Sequence, residues 1–295
     1  MPLTDLTVYS MGAFAARILA QGGQASVYGN TSRGYFLLVR SRWVIFLTSA
    51  VERGPLTLNL RGDFGALREL RSGTPVEIQA GGLEFLSPPL CLDLGQALRW
   101  EPPERPAAML SPGERRYRQV AVGRQLVAQP GASGASKLLS VLLDLPAPGD
   151  GFDEPVFSLS EVEILRMALK SRDVQRILAA LEWFLGRGPG LTPAGDDLVA
   201  GLLLALHRWG DVLCPGLDLA ELSRELLPLA YRNTSTLAAN LVECAAVGQA
   251  DERLVAALDG LMAGDPNPGD CAALLLDYGS SSGCDAFLGM LLGGG

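Results

Sequence analysis

Three short stretches of the chain carry residue types that could do chemistry. The first is Gly186-Arg187-Gly188-Pro189-Gly190-Leu191-Thr192-Pro193-Ala194-Gly195-Asp196-Asp197, a glycine-rich loop that opens the apolar run Leu198 to Leu206. Gly188 and Gly190 permit turns that side chains forbid. Thr192 suits a helix N-cap and Pro193 the first helical position. Asp196 and Asp197 then fall in the first turns, where the helix dipole favours negative charge. Beyond them the helix is apolar on every side, which predicts burial. Carboxylates at such a mouth, beside free backbone N–H groups, form a candidate site for an anion, for Mg²⁺, or for both together.

The second stretch, Ser281-Ser282-Gly283-Cys284-Asp285-Ala286-Phe287-Leu288-Gly289, repeats the spacing of Gly195, Asp197 and Gly201. On helices, Asp197, Gly201 and Ala205 share one stripe, and Asp285, Gly289 and Gly293 share another. Small residues there let two helices approach closely, and a crossing at that point turns Asp197 and Asp285 toward one pocket. A third stretch, Tyr231-Arg232-Asn233-Thr234-Ser235-Thr236, is either a helix N-cap or a set of donors for carboxylate or phosphate oxygens. The ligand residues expected from these patterns are Gly188, Gly190, Thr192, Gly195, Asp196, Asp197, Thr234, Ser235, Ser281, Ser282, Gly283 and Asp285. Asp197 and Asp285 are the candidate metal ligands. No general base is evident. The single histidine, His207, lies far along the helix from Asp197, at about 1.5 Å rise per residue. Its expected role is structural, at the C-terminus of that helix.

The bulk properties narrow the classes of function. A net charge of −8 argues against non-specific nucleic-acid binding. The five cysteines (Cys91, Cys214, Cys244, Cys271, Cys284) show neither zinc-ligand spacing nor a disulfide framework. No apolar run approaches the length of a membrane span, and the first residues lack a signal-peptide pattern. The expectation is a cytoplasmic, soluble protein with no nucleic-acid or membrane partner. Arg115, Arg116, Arg118 and Arg124 crowd one predicted helix, either as a solvated face or as an anion or subunit contact. Gly131 to Lys137 resembles a phosphate-binding loop but lacks its Gly-Lys-Ser ending.

The elements that must position these residues fall into two kinds. Residues 7 to 21 read as a short helix with Phe14, Ile18 and Leu19 on one side. Strand-like runs follow at Ala25–Tyr28, Tyr35–Val39, Trp43–Leu47, Leu56–Leu60, Val76–Ile78, Leu83–Leu86 and Leu90–Leu94, with Gly81-Gly82 as a hairpin turn. Proline-rich breaks lie at 101–113 and 146–155, and 264–270 reads as a loop. Ser111 and Pro112 open a helix to about Val127. Ser158 and Glu161 form a capping-box pattern. Helices are expected at 160–170, 172–186, 193–208, 218–230, 233–247, 251–262 and 283–292. The fold class is α+β: a β-rich barrel or sandwich domain over 1–105, a helical connector over 106–155, and an all-helical domain over 156–295.

The run Gly-Pro-Gly-Leu-Thr-Pro-Ala-Gly-Asp-Asp at 188–197 resembles the signature of the bacterial AllH-like family, formerly a domain of unknown function. Leu47-Thr48, Gly54-Pro55-Leu56, Asn233-Thr234-Ser235 with Ala245 and Gly248, and Gly279 to Asp285 extend the resemblance over most of the chain. It implies a subunit associated with the oxamate carbamoyltransferase of allantoin degradation. Such a subunit works with other transferase subunits and handles a phosphorylated or carboxylated small molecule. It transfers no catalytic residues. Two alternatives stand beside it. One is a non-catalytic scaffold or small-molecule-binding subunit, whose glycines serve helix packing. The other is a small-molecule kinase-like enzyme, suggested by Gly279-Ser280-Ser281-Ser282-Gly283 but requiring strands in the second half.

Overall fold

The computed structural model describes residues 6–62, 64–87, 89–129, 135–146 and 156–294. The chain forms two compact units, Met1–Pro102 and Pro103–Gly295. The architecture is α+β, with a β-barrel followed by helices.

In the first unit, strand β1 (Thr7–Gly12) runs directly into helix α1 (Ala13–Leu19). The expectation of one helix over 7–21 is therefore half corrected. Val8, Ser10 and Gly12 alternate inward, a period-two pattern that the adjacent helical pattern obscures. Phe14, Ile18 and Leu19 are buried together as expected. The remaining strands are β2 (Gly23–Thr31), β3 (Gly34–Val39), β4 (Trp43–Thr48), β5 (Thr57–Arg61), β6 (Pro75–Gln79), β7 (Gly82–Leu86), β8 (Pro89–Asp93) and β9 (Leu98–Trp100).

The sheet order is β5-β4-β3-β2-β6-β7-β8-β1, and β1 also pairs with β5, so the sheet closes into a barrel. β9 adds to β1 in parallel through Ser10↔Leu98 and Met11↔Arg99. Each expected strand is present, and the closure selects barrel over sandwich. Alternation fills the interior: Val27, Leu37, Ile45, Leu58, Val76 and Phe85 are almost fully buried. Gly12 must be glycine, because a Cβ there would stand 2.1 Å from the Gly54 carbonyl oxygen.

The described part of the second unit is helical. Helix α2 (Pro112–Val127) starts in a capping box between Ser111 and Glu114. Helix α3 (Ala135–Leu142) was not anticipated; Gly131 to Gly134 of the phosphate-loop-like stretch lie outside the described residues. Helix α4 (Leu159–Ser171) has the expected box, with Glu161 Oε2 accepting from Ser158 N at 2.6 Å. Helices α5 (Val174–Glu182), α6 (Ala194–Leu213), α7 (Leu219–Asn233), α8 (Thr236–Ala245), α9 (Glu252–Ala263), α10 (Pro268–Asp277) and α11 (Ser282–Leu292) complete the unit.

The predicted loop at 264–270 ends early, because α10 begins at Pro268. Asn267 accepts from Gly269 N and Asp270 N, so a turn-like composition is here a helix start. The helix α6 also runs past His207. Trp209 leaves helical geometry (φ −133°, ψ 16°), and its indole N–H donates to Asp259 at 3.1 Å. Arg208 pairs with the same buried carboxylate, which fixes the kink.

Candidate functional site

The site is built by two helices that touch backbone to backbone. α6 and α11 form the most extensive helix pair in the unit. A Cβ on Gly201 would lie 2.1 Å from the Ala286 oxygen, and one on Gly289 would lie 2.0 Å from the Leu198 oxygen. The two small-residue stripes read from the sequence therefore meet. Each helix also begins against its predecessor. Gly195 abuts the Phe184 carbonyl and Gly283 the Leu275 carbonyl, where a Cβ would lie at 1.9 and 1.8 Å. The glycines bring the paired aspartates inward: Asp197 is 4% exposed and Asp285 fully buried.

Burial pushes the Asp197 carboxyl up to about 8, and the charges of Asp285 and Asp196 add to that effect. Hydrogen bonds from Ser282 and Thr192 oppose it. The two hydroxyls lie 3.3 Å apart, bridging the loops that precede α6 and α11. Asp197 Oδ2 is buried and accepts no hydrogen bond among the described residues. A buried acceptor without a donor is costly.

Asp196 plays a different part. Its Oδ1 accepts from Gly186 N at 2.9 Å, and its Oδ2 accepts from the Thr234 hydroxyl. Burial raises its carboxyl while both bonds hold it down. With both oxygens engaged, Asp196 stitches the signature loop to the α7–α8 junction. Ser235 caps α8 by accepting from Ala238 N, and donates to the Leu191 carbonyl at 3.1 Å. Thr234 and Ser235 thus hold the loop from outside.

Gly188 and Gly190 have φ of +119° and +102°, conformations that favour glycine. Ser281 stands at the N-cap of α11 without a side-chain capping bond.

Two expectations about the helix mouth are corrected. Thr192 is not the N-cap, and Pro193 is not the first helical residue: Pro193 occupies the N-cap position and α6 begins at Ala194. Three backbone N–H groups of the mouth are also spent. Gly195 N donates to the Arg187 oxygen at 2.9 Å, while Asp196 N and Asp197 N both donate to the Pro193 oxygen. At α11, Gly283 N likewise donates to the Tyr278 oxygen at 3.1 Å. A loop carbonyl replaces the side-chain cap, which releases the Thr192 hydroxyl toward Ser282 and Asp197. Side chains, rather than free N–H groups, therefore face the site.

Sequence reasoning missed Tyr278 and Arg253. The Tyr278 hydroxyl is driven upward in pKa by burial, with Asp197 and Asp251 adding negative charge nearby. Arg253 lies over the Tyr278 ring at 5.3 Å, pairs with Asp251 and Asp277 at 2.8 Å, and donates to the Asp277 carbonyl. It fixes the loop that enters α11. No local motif announces this, because the contacts join α9 to the end of α10.

His207 donates to or accepts from Ser223 at 2.8 Å, and burial lowers its pKa. It is mid-helix rather than at the end of α6, and its partner gives it a structural place. Among the described residues, no three His, Cys, Asp or Glu side chains gather as a metal cluster. The Asp197–Asp285 pair alone suits Mg²⁺ only when a ligand and water complete the shell.

An apolar groove of about 890 Å³ lies between α4 and α5, with Ile164, Met167 and Trp183 well exposed along it. Arg187 connects its rim to the signature loop, pairing with Glu161 at 2.7 Å and lying over Trp183.

Fold and site together define a barrel-plus-helix protein whose paired glycine–aspartate helices bury two carboxylates at their mouths. Residues 184–294 match the model of the family described as oxamate carbamoyltransferase subunit AllH. The chain is similar to that family over this segment, which is less than half of its length and contains the signature loop and both aspartate helices. The strand-region likenesses read from the sequence lie outside it. No solved structure matches the chain. Among the described residues no helix is long and apolar enough to cross a membrane.

Proposed function

We propose that the chain is a subunit of a carbamoyltransferase-type complex, and that the α6–α11 mouth holds its small-molecule ligand. The observation that carries this reading is the coincidence of the family match with that helix crossing. A purely anionic ligand would meet two carboxylates and few free N–H groups. A ligand with a phosphate or carboxylate at one end and a carbamoyl or amide NH₂ at the other fits better. When Asp197 is ionised, the NH₂ supplies the donor that its Oδ2 lacks, and the anionic end faces the Thr192 and Ser282 hydroxyls. Carbamoyl phosphate and oxamate have this form. Mg²⁺ between the aspartates and the anionic end is the competing way to satisfy them.

Isosteric pairs test the reading. Carbamoyl phosphate against acetyl phosphate, and oxamate against oxalate, would be titrated calorimetrically with and without Mg²⁺. The NH₂-bearing member should bind on the order of ten- to a hundredfold more tightly, the cost of leaving a buried acceptor unpaired. Asp197→Asn should erase most of that preference while the protein stays folded. Equal binding of both members sinks the amide assignment, and binding that depends wholly on Mg²⁺ favours the metal arrangement. If none binds, the non-catalytic scaffold reading gains, in which Gly201 and Gly289 serve packing alone. The described residues of the second unit form no strands, so the kinase-like reading lacks the elements it needs.

A further inference from the structure

A second, basic groove of about 220 Å³ lies near the far ends of α6 and α11. Arg115 and Arg116 from α2 and Arg166 from α4 line it, with leucines that include Leu213 and Leu291 among its walls. α6 has 20 residues, about 30 Å of helix, so this groove is remote from Asp197.

Its charges are poorly answered from within. Arg115 Nε is buried and donates to nothing among the described residues. Arg116 donates to the Leu142 carbonyl and reaches Asp144 only at 3.8 Å, across a carboxylate that is almost wholly in solvent. Arg166 pairs with Glu163, a partly exposed neighbour one turn away on the same helix. Such surface pairs are weak and easily exchanged. Three guanidinium groups thus converge in a chain of net charge −8. Guanidinium forks match carboxylate and phosphate oxygens. The leucines offer an apolar wall.

The geometry points to this groove as a binding site for a small organic anion, with its carboxylate or phosphate on Arg115 and Arg116 and a short hydrocarbon body against the leucines. The site is separate from the α6–α11 mouth and stands whether or not that reading holds.

Inorganic phosphate and butyrate are the probes, titrated at constant ionic strength by calorimetry and thermal shift. Four proteins are compared: wild type, Arg115→Gln, Asp197→Asn and Arg124→Gln, the last altering an exposed arginine of α2 that does not line the groove. At least one probe should bind wild type and Arg124→Gln alike, with at least tenfold weaker binding to Arg115→Gln, and Asp197→Asn should keep the part of the response that Arg115→Gln loses. A preference for butyrate assigns a carboxylate ligand, and one for phosphate assigns a phosphate ester. Equal responses in all four proteins, loss of the response only in Asp197→Asn, or no response in any of them overturns the site. If Arg115→Gln does not fold, Arg116→Gln takes its place under the same criteria.

Discussion

Asp197 is the residue where the sequence pattern and the physics of burial pull in opposite directions. A carboxylate at a helix N-terminus gains from the dipole, yet here the backbone donors are taken and solvent is excluded. Its acid form is therefore favoured in the folded state, with the carboxyl pushed up to about 8 from the ordinary value of 3.8. The sign of the linkage follows. Between those two values the native state holds a proton that the unfolded chain releases, so stability falls as pH rises. The contribution is complete below the ordinary value and gone above about 8. Each pH unit of displacement corresponds to about 1.4 kcal/mol, which makes the effect a few kcal/mol. Asp197→Asn cannot lose that proton. Its urea midpoint should gain on wild type from pH 6 to about pH 8 and level off above that, where it should be the more stable protein. A difference that stays constant across that range would show that Asp197 is not the titrating group.

The helix pair α6–α11 is held by the absence of side chains. In most helices Gly→Ala stabilises by about 0.5–1 kcal/mol. At Gly201 and Gly289 the added Cβ meets a backbone oxygen at 2.1 and 2.0 Å, which no rotamer change can relieve. Overpacking of that kind costs about 1–3 kcal/mol or more. Gly201→Ala and Gly289→Ala should each lower the urea midpoint, while Gly113→Ala, with open space around it, should leave it unchanged or raise it slightly. If Gly201→Ala behaved like Gly113→Ala, the close crossing would be refuted. This feature was legible in the sequence, because Gly201 and Gly289 recur at the same distance from Asp197 and Asp285. Caps were legible for a similar reason: Ser111 and Ser158 signal their helices with nearby residues. The start of α10 was not, because Asn267-Pro268-Gly269-Asp270 serves a turn and a helix N-terminus equally well. Nor was the kink at Trp209, which depends on Asp259 from a distant helix.

At the scale of the molecule, the α+β division was readable because hydrophobic periodicity changes from two to 3.6 across the proline-rich stretch near residue 102. Barrel closure was not, because the pairing of β1 with β5 joins segments whose local sequences carry no record of each other. β1 was hidden further by running into α1 with no intervening loop. The same division yields a last prediction. Each unit has a core of its own: the barrel interior in one, and in the other a helical core centred on Leu202, Leu203, Phe287 and Leu288. The family match falls wholly in the second unit. A fragment spanning Pro103–Gly295 should therefore fold without the barrel. It should unfold cooperatively in urea and show a near-UV circular dichroism signal from Trp209, which is 1% exposed. Its affinity for carbamoyl phosphate should match that of the full chain. A fragment with helical far-UV dichroism but a flat near-UV spectrum and bound hydrophobic dye would be a molten globule. That outcome would mean that the helical unit needs the barrel for its packing, and the burial of Asp197 would then depend on the whole chain.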